Sequence, residues 1–283
     1  MSREPRIAIV GPGNLGTALA ISLQGAGFAI SALVGRKSCM RKARALAKQI
    51  RSHATSETAR VDADVIWFCV PDSEIAQAAA QSWAISSRGK GRVALHSSGA
   101  LSSDELAVLR RRGFAVASVH PLMTFVPGSR PVLAGVPFAI EGDPAATRLA
   151  RRIVGDLGGR SYPIRKQDKA AYHAWGTFAS PLFTALLAAT EQVAAAAGVK
   201  RAEIRRRMIP ILLQTLANYV QYGASGAFSG PIIRGDIHTV KKHLRALRGA
   251  PAARDVYIAL ARAALQYLPA KNKRLLGQIL DSE

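Results

Sequence analysis

The chain has 283 residues, 49% of them hydrophobic, with 24 Gly and 14 Pro, a composition that supports two globular domains and excludes a fibrous or disordered polymer. Two cysteines, Cys39 and Cys69, are too few for a disulfide framework and lack metal-ligand spacing, so no bound metal is expected. The formal net charge of +21 is spread evenly, with 22 basic against 11 acidic residues up to position 165 and 17 against 7 beyond it; without a basic tail or zinc-finger spacing, this predicts a solvated surface and no nucleic-acid partner.

Arg3, Glu4 and Arg6 lead at once into the apolar run Ile7 to Val10, which leaves no room for a signal peptide and predicts a cytoplasmic chain. That run enters Gly11-Pro12-Gly13-Asn14-Leu15-Gly16, the spacing Gly-x-Gly-x-x-Gly, and a helix over Asn14 to Gln24 follows. Strand, glycine turn and helix together predict a pyrophosphate site. Gly11 allows the tight turn, Gly13 lets the backbone approach the phosphates, and Gly16 lets helix and strand pack closely. The backbone N–H groups of Asn14 and Leu15 stand at the helix start, where anions are favoured.

Five further strands are predicted over Ala29 to Val34, Val65 to Val70, Arg92 to His96, Ala115 to His120 and Pro137 to Glu141, with a short one near His53 to Thr55. Helices over Cys39 to Gln49, Ser73 to Ala80, Ser103 to Arg111 and Pro144 to Leu157 alternate with them. This is the pattern of a doubly wound, mostly parallel sheet, assigned to residues 1–165. At the end of the second strand stand Gly35, Arg36, Lys37 and Ser38. NAD-binding folds place a carboxylate there for the ribose; a guanidinium, an ammonium and a hydroxyl suit the 2′-phosphate of NADP instead.

Beyond Gly158-Gly159 the alternation stops, and residues 166–283 read as an all-helical domain. Ala170 to Thr190 carries no charged residue over 21 positions, but His173, Gly176, Ser180 and Pro181 argue against a membrane span. A long buried helix kinked near Pro181 is expected; it needs covering by its own domain or by a second subunit, which points to a homodimer.

Three loops at strand ends should line one crevice: Val70-Pro71-Asp72, His96-Ser97-Ser98-Gly99 and His120-Pro121. With the glycine turn and Gly230 to Asp236, these motifs resemble a bacterial oxidoreductase family in which a Rossmann-like domain precedes a helical domain of unassigned role. More distantly, the N-terminal half is similar to pyrroline-5-carboxylate reductase, ketopantoate reductase and the 6-phosphogluconate dehydrogenase superfamily. The resemblance implies NADP binding, with Val70, Pro71 and Ser97 beside the nicotinamide ribose, and a helical domain of the 6-phosphogluconate dehydrogenase C-terminal type that makes a dimer.

Hydride transfer to or from a small polar carbonyl, imine or hydroxy acid in an interdomain cleft needs a proton donor. Lys169 and His173, one helical turn apart, resemble the Lys-x-x-x-Asn pair of the hydroxyacid and ketopantoate dehydrogenases, with His173 in place of the amide. His96 and His120 at strand ends are the other candidate acids. Ser98 and Thr124 offer hydroxyls to substrate, and Arg234 offers a fork for a carboxylate. The other reading of the same residues is a non-catalytic NADP(H)-responsive binding or regulatory protein.

Overall fold

The computed structural model describes residues 4–59, 61–81, 89–129 and 132–282, and the chain forms two compact units, Met1–Phe178 and Ala179–Glu283. The first unit is built on eight strands in the order β3-β2-β1-β4-β5-β6-β7-β8. They are β1 Ile7–Val10, β2 Ile30–Gly35, β3 Ala54–Ser56, β4 Val65–Phe68, β5 Val93–His96, β6 Ala115–Pro121, β7 Pro137–Gly142 and β8 Arg160–Pro163. Every pairing is parallel except β6 with β7. Strands β1, β4 and β5 are buried at every position, because helices cover both faces and such strands become continuous apolar runs rather than alternating ones.

One face packs Ile7, Ile9, Leu33, Trp67 and Leu95 against Leu19 and Leu23 of α1 (Asn14–Gly25) and Leu46 of α2 (Met40–Gln49). The other buries Ala8, Ile66, Phe68 and Ala94 against Ile75 and Ala79 of α3 (Ile75–Ala80) and Leu109 of α4 (Ala107–Arg110). Helix α5, Pro144–Asp156, opens on a proline at its first turn and buries Ala146, Ala150, Ile153 and Val154.

The sequence stops the alternation at Gly158-Gly159, yet β8 lies beyond it. This strand is a sheet edge of Arg, Ser, Tyr and Pro with no fully buried position, so it lacks the apolar run that reveals a strand in sequence. The helix that opens the second predicted domain also belongs to the first unit: α6, Lys169–Thr177, buries Lys169 and Tyr172 there.

After α6 comes a π turn, Phe178–Leu182, that contains Pro181, then α7, Phe183–Ala196. Pro181 has no N–H for the helical ladder, and the widened turn absorbs the loss. The helical run is thus widened at Pro181, and in the single chain α7 has no buried residue and Phe178 is 72% exposed.

The second unit continues with α8, Arg201–Ala227, interrupted at Gly223 (φ 68°), then α9 Pro231–Arg234, α10 Ile237–Ala246, α11 Pro251–Tyr267 and α12 Lys273–Asp281. Its core joins Val240 and Leu244 to Ile258, Ala261, Leu276 and Ile279. Among the described residues no helix is long and apolar enough to cross a membrane.

Candidate functional site

The three glycines of the turn do three different things. Gly11 has φ +87°, and a Cβ on it would stand 2.8 Å from the Cys69 carbonyl oxygen. A Cβ on Gly16 would lie 2.2 Å from the Gly11 carbonyl oxygen, so Gly16 holds the helix against the turn rather than facing a ligand. Around Gly13 there is nothing within 4 Å: it caps α1 with no side chain in the way and leaves the helix start open. Open space, bare backbone and a helix N-terminus are what a phosphate needs. The Gly11 N–H donates to Val34 O at 2.9 Å, and Asn14 Nδ2 donates to Phe125 O at 3.2 Å, tying the turn to β2 and to the loop after β6.

From this turn a cleft of about 880 Å³ runs along the carboxyl ends of β1, β2 and β4. Gly11, Gly13, Asn14, Gly35, Arg36, Ser38, Val70 and Pro71 line it, as the sequence predicts for bound cofactor. Four predicted cofactor residues are not among its walls. Leu15 packs on the core and Gly16 lies under the turn; Lys37 is exposed, and buried Ser97 accepts a hydrogen bond from Trp67 Nε1 at 2.9 Å. Cys69 does line the cleft, and burial pushes its thiol up to about 12, which keeps it protonated and inert. The guanidinium of Arg36 forms an ion pair with Glu74, which sits in the turn just before α3.

At the carboxyl ends of β5 and β6 lies a second cluster. The Lys169 side chain is fully buried, and its Nζ donates to Ser98 O at 3.0 Å and to Ser118 Oγ at 2.8 Å. Burial lowers its pKa to about 8, against the opposing pull of Glu141 and Asp72. Ser98 is equally occupied: its hydroxyl donates to Asp72 at 2.8 Å and accepts from the Ala100 and Leu101 N–H groups. Both residues expected to meet substrate thus act as tethers of the loop after β5.

His96 is a third tether. Its Nδ1 accepts from the Ser98 N–H at 3.1 Å, which leaves Nε2 as the protonated nitrogen, donating to Ser102 O at 3.0 Å. Burial lowers its pKa to about 4, so the ring stays neutral.

His120 is placed differently. Its Nδ1 lies 2.9 Å from the hydroxyl of Tyr172, and the rings of Tyr172 and His173 meet it edge to face, with centroids 5.4 and 5.8 Å away. Its Nε2 faces Gly99, where a Cβ would come within 2.8 Å of that nitrogen and 2.5 Å of His173 Cδ2. Burial, then the charges of Lys169 and His173, lower the pKa of His120 to about 3. Burial also raises the phenol of Tyr172 well above its ordinary value. The phenol keeps its proton, and its hydrogen bond with Nδ1 leaves Nε2 as the ring nitrogen on the Gly99 side. His173 itself is exposed.

Tyr172 is the residue that sequence reasoning missed. The signal was its position three residues after Lys169, on the same helical face. Thr124 is exposed on the loop after β6, and Arg234 is exposed at the end of α9 in the second unit. Asp236 caps α10 by accepting from the Thr239 N–H at 3.0 Å. Among the described residues no group of three His, Cys, Asp or Glu side chains is placed to hold a metal.

Residues 2–121 match the model of a Rossmann-like domain, and residues 136–264 match a domain of unknown function, DUF2520. A provisionally assigned NADP oxidoreductase from Bacteroides fragilis superposes with a TM-score of 0.78 at 23% identity, covering 92% of this chain and 97% of that one. An imine reductase from Myxococcus stipitatus, solved with NADP+, gives 0.64 at 16% identity over 93% and 94% of the two chains. For a pyrroline-5-carboxylate reductase from Coxiella burnetii the values are 0.58, 14%, 97% and 99%. No curated protein matches the chain.

Proposed function

The chain joins a Rossmann-like domain to a DUF2520 domain, and from that premise we propose that it is an NADP-dependent oxidoreductase of a small polar carbonyl, imine or hydroxy acid. The observation that carries this reading is the continuous cleft from the bare Gly13 helix start to Arg36 and Ser38 on one side and Val70 and Pro71 on the other. The helix start would hold the pyrophosphate, Arg36 and Ser38 the 2′-phosphate, and Val70 and Pro71 the nicotinamide ribose. Bound there, the cofactor supplies or accepts hydride. That relatives of the same fold include an enzyme solved with NADP+ supports the assignment.

The protein's own part is positioning and hydrogen bonding. His120, neutral at physiological pH and hydrogen-bonded to Tyr172 through Nδ1, keeps Nε2 on the Gly99 side to hydrogen-bond the oxygen or nitrogen of a substrate. Exposed His173 stands next to it, with its ring edge to face with that of His120. Lys169, walled in by Ser98 and Ser118, holds the loop that carries Gly99.

Fluorescence titration with NADPH and NADH tests the cofactor reading: tighter NADPH binding that is lost in Arg36→Ala is expected, and equal millimolar binding of both overturns it. A carbonyl, imine and hydroxy-acid panel with NADPH or NADP+ tests the chemistry. Turnover that falls in His120→Ala supports the role of His120; no turnover on any substrate favours the non-catalytic NADP(H)-responsive reading.

Assembly as a homodimer belongs to the same proposal. Helix α8 exposes Ile209, Ile211, Leu213, Leu216, Tyr219 and Val220, an apolar surface that a second copy of α8 would cover. Light scattering should give twice the chain mass, and Val220→Asp should reduce it to one; a monomeric wild type removes the dimer.

A further inference from the structure

The Arg36–Glu74 ion pair sits inside the cleft, not on the outer surface, since both residues line it together with Ser38, Lys42 and Gln77. Arg36 comes from the end of β2, and Glu74 from the turn Asp72–Glu74 after β4, so the pair bridges two strand ends across β1. Arg36 Nη2 meets Glu74 Oε2, so the carboxylate takes part of the planar donor edge that a phosphate would use. We infer that Glu74 is a specificity-determining residue: an internal stand-in for the 2′-phosphate that must be displaced from Arg36 when NADP(H) binds. The inference rests on the NADP reading and deepens it.

Two consequences follow from charge. With NADP(H), the phosphate takes Arg36 and leaves the Glu74 carboxylate next to a second anion, so Glu74 weakens binding twice, by competition and by repulsion. NAD(H) brings no phosphate; Glu74 keeps its partner, and its remaining lone pairs accept a ribose hydroxyl. Glu74 therefore narrows the preference between the two cofactors, although Arg36 alone predicts a strong one. Arg36 is 54% and Glu74 28% exposed at the side chain, so the pair is partly screened and its displacement is a matter of several-fold.

Glu74→Gln keeps the shape and removes the charge. The dissociation constants of NADPH, NADH, 2′,5′-ADP and 5′-AMP, measured by titration on the wild-type chain, E74Q, Arg36→Ala and the double variant, read the proposal. The expected result is a roughly 3- to 10-fold rise in the NADPH-to-NADH and 2′,5′-ADP-to-5′-AMP preferences in E74Q, a rise that disappears when Arg36 is also Ala. Unchanged preferences in E74Q, with wild type still favouring the 2′-phosphate through Arg36, overturn the role of Glu74 and leave the NADP reading standing. If no variant distinguishes the phosphorylated ligands and R36A binds them as wild type does, the NADP reading falls and this inference with it.

Discussion

Replacing Lys169 by Met tests its role as a buried tether, because that role makes the variant's stability relative to the wild type depend on pH. The side chain is fully buried, and its two hydrogen bonds go to Ser98 O and Ser118 Oγ. Losing both bonds and leaving the acceptors dry costs ~2–4 kcal/mol. Against this, burial holds the lysine pKa at about 8, below its ordinary 10.5. Below pH 8 both folded and unfolded chains carry the charge, and the fold bears the full penalty of burying it. Between pH 8 and 10.5 the unfolded chain binds the extra proton, so the wild type gains stability as pH rises. At ~1.4 kcal/mol per pH unit this gain is ~3 kcal/mol. Lys169→Met should thus be nearly neutral at pH 7, within ~1 kcal/mol, and destabilising by ~3 kcal/mol near pH 10.5. Urea unfolding of both proteins at pH 7, 8, 9 and 10.5 measures the difference, which cancels the opposing titrations of Cys69 and Tyr172 common to both. A difference independent of pH refutes the buried-tether argument. So does a Met variant that unfolds as the wild type does at pH 10.5.

The glycines give a sharper contrast. Gly16→Ala drives a methyl to 2.2 Å from the Gly11 carbonyl and should lower the melting temperature by several degrees. Gly13→Ala meets nothing within 4 Å and should melt like wild type while weakening NADPH binding ~10-fold or more; equal melting of the two variants contradicts the assigned roles. Gly99→Ala places a methyl 2.8 Å from His120 Nε2, so turnover should fall ~100-fold with NADPH affinity unchanged, and an active variant removes His120 from the chemistry. Acid should destabilise the fold early. His96 and His120, held neutral with pKa values of about 4 and 3, stay unprotonated while the unfolded chain takes up protons below 6.5. Stability then falls as pH drops from 6.5 to 4, by ~3 kcal/mol for His96 alone, and a His96→Asn chain with the same slope in urea unfolding speaks against this.

Much of the first unit was legible because parallel strands covered on both faces are written as unbroken apolar runs. Ile7 to Val10 and Val65 to Phe68 are of that kind, and the glycine spacing adds a turn with one backbone solution. Edge strand β8 was hidden for the converse reason, since an edge of Arg-Ser-Tyr-Pro buries too little to leave a pattern. In the site, spacing told which residues gather but not which are already engaged. Lys169 and Ser98 stand at the predicted helix start and strand end, yet each has polar atoms taken by neighbours distant in sequence, Ser118 and Asp72 among them. Such long-range pairing has no periodicity to read. Glu74 was invisible for the same reason: only the fold brings the turn after β4 across to Arg36.

The tether from α6 also dictates where the first unit can be cut. A fragment ending at Arg165 would expose the underside of β5 and β6 just where Ser98 O and Ser118 Oγ expect an ammonium, and would strip Tyr172 from His120. The sheet would be complete in its strands and still carry a polar gap in its floor. Helix α6 is in this sense the closing piece of a module it follows in sequence, and a fragment of the first unit should run to Phe178.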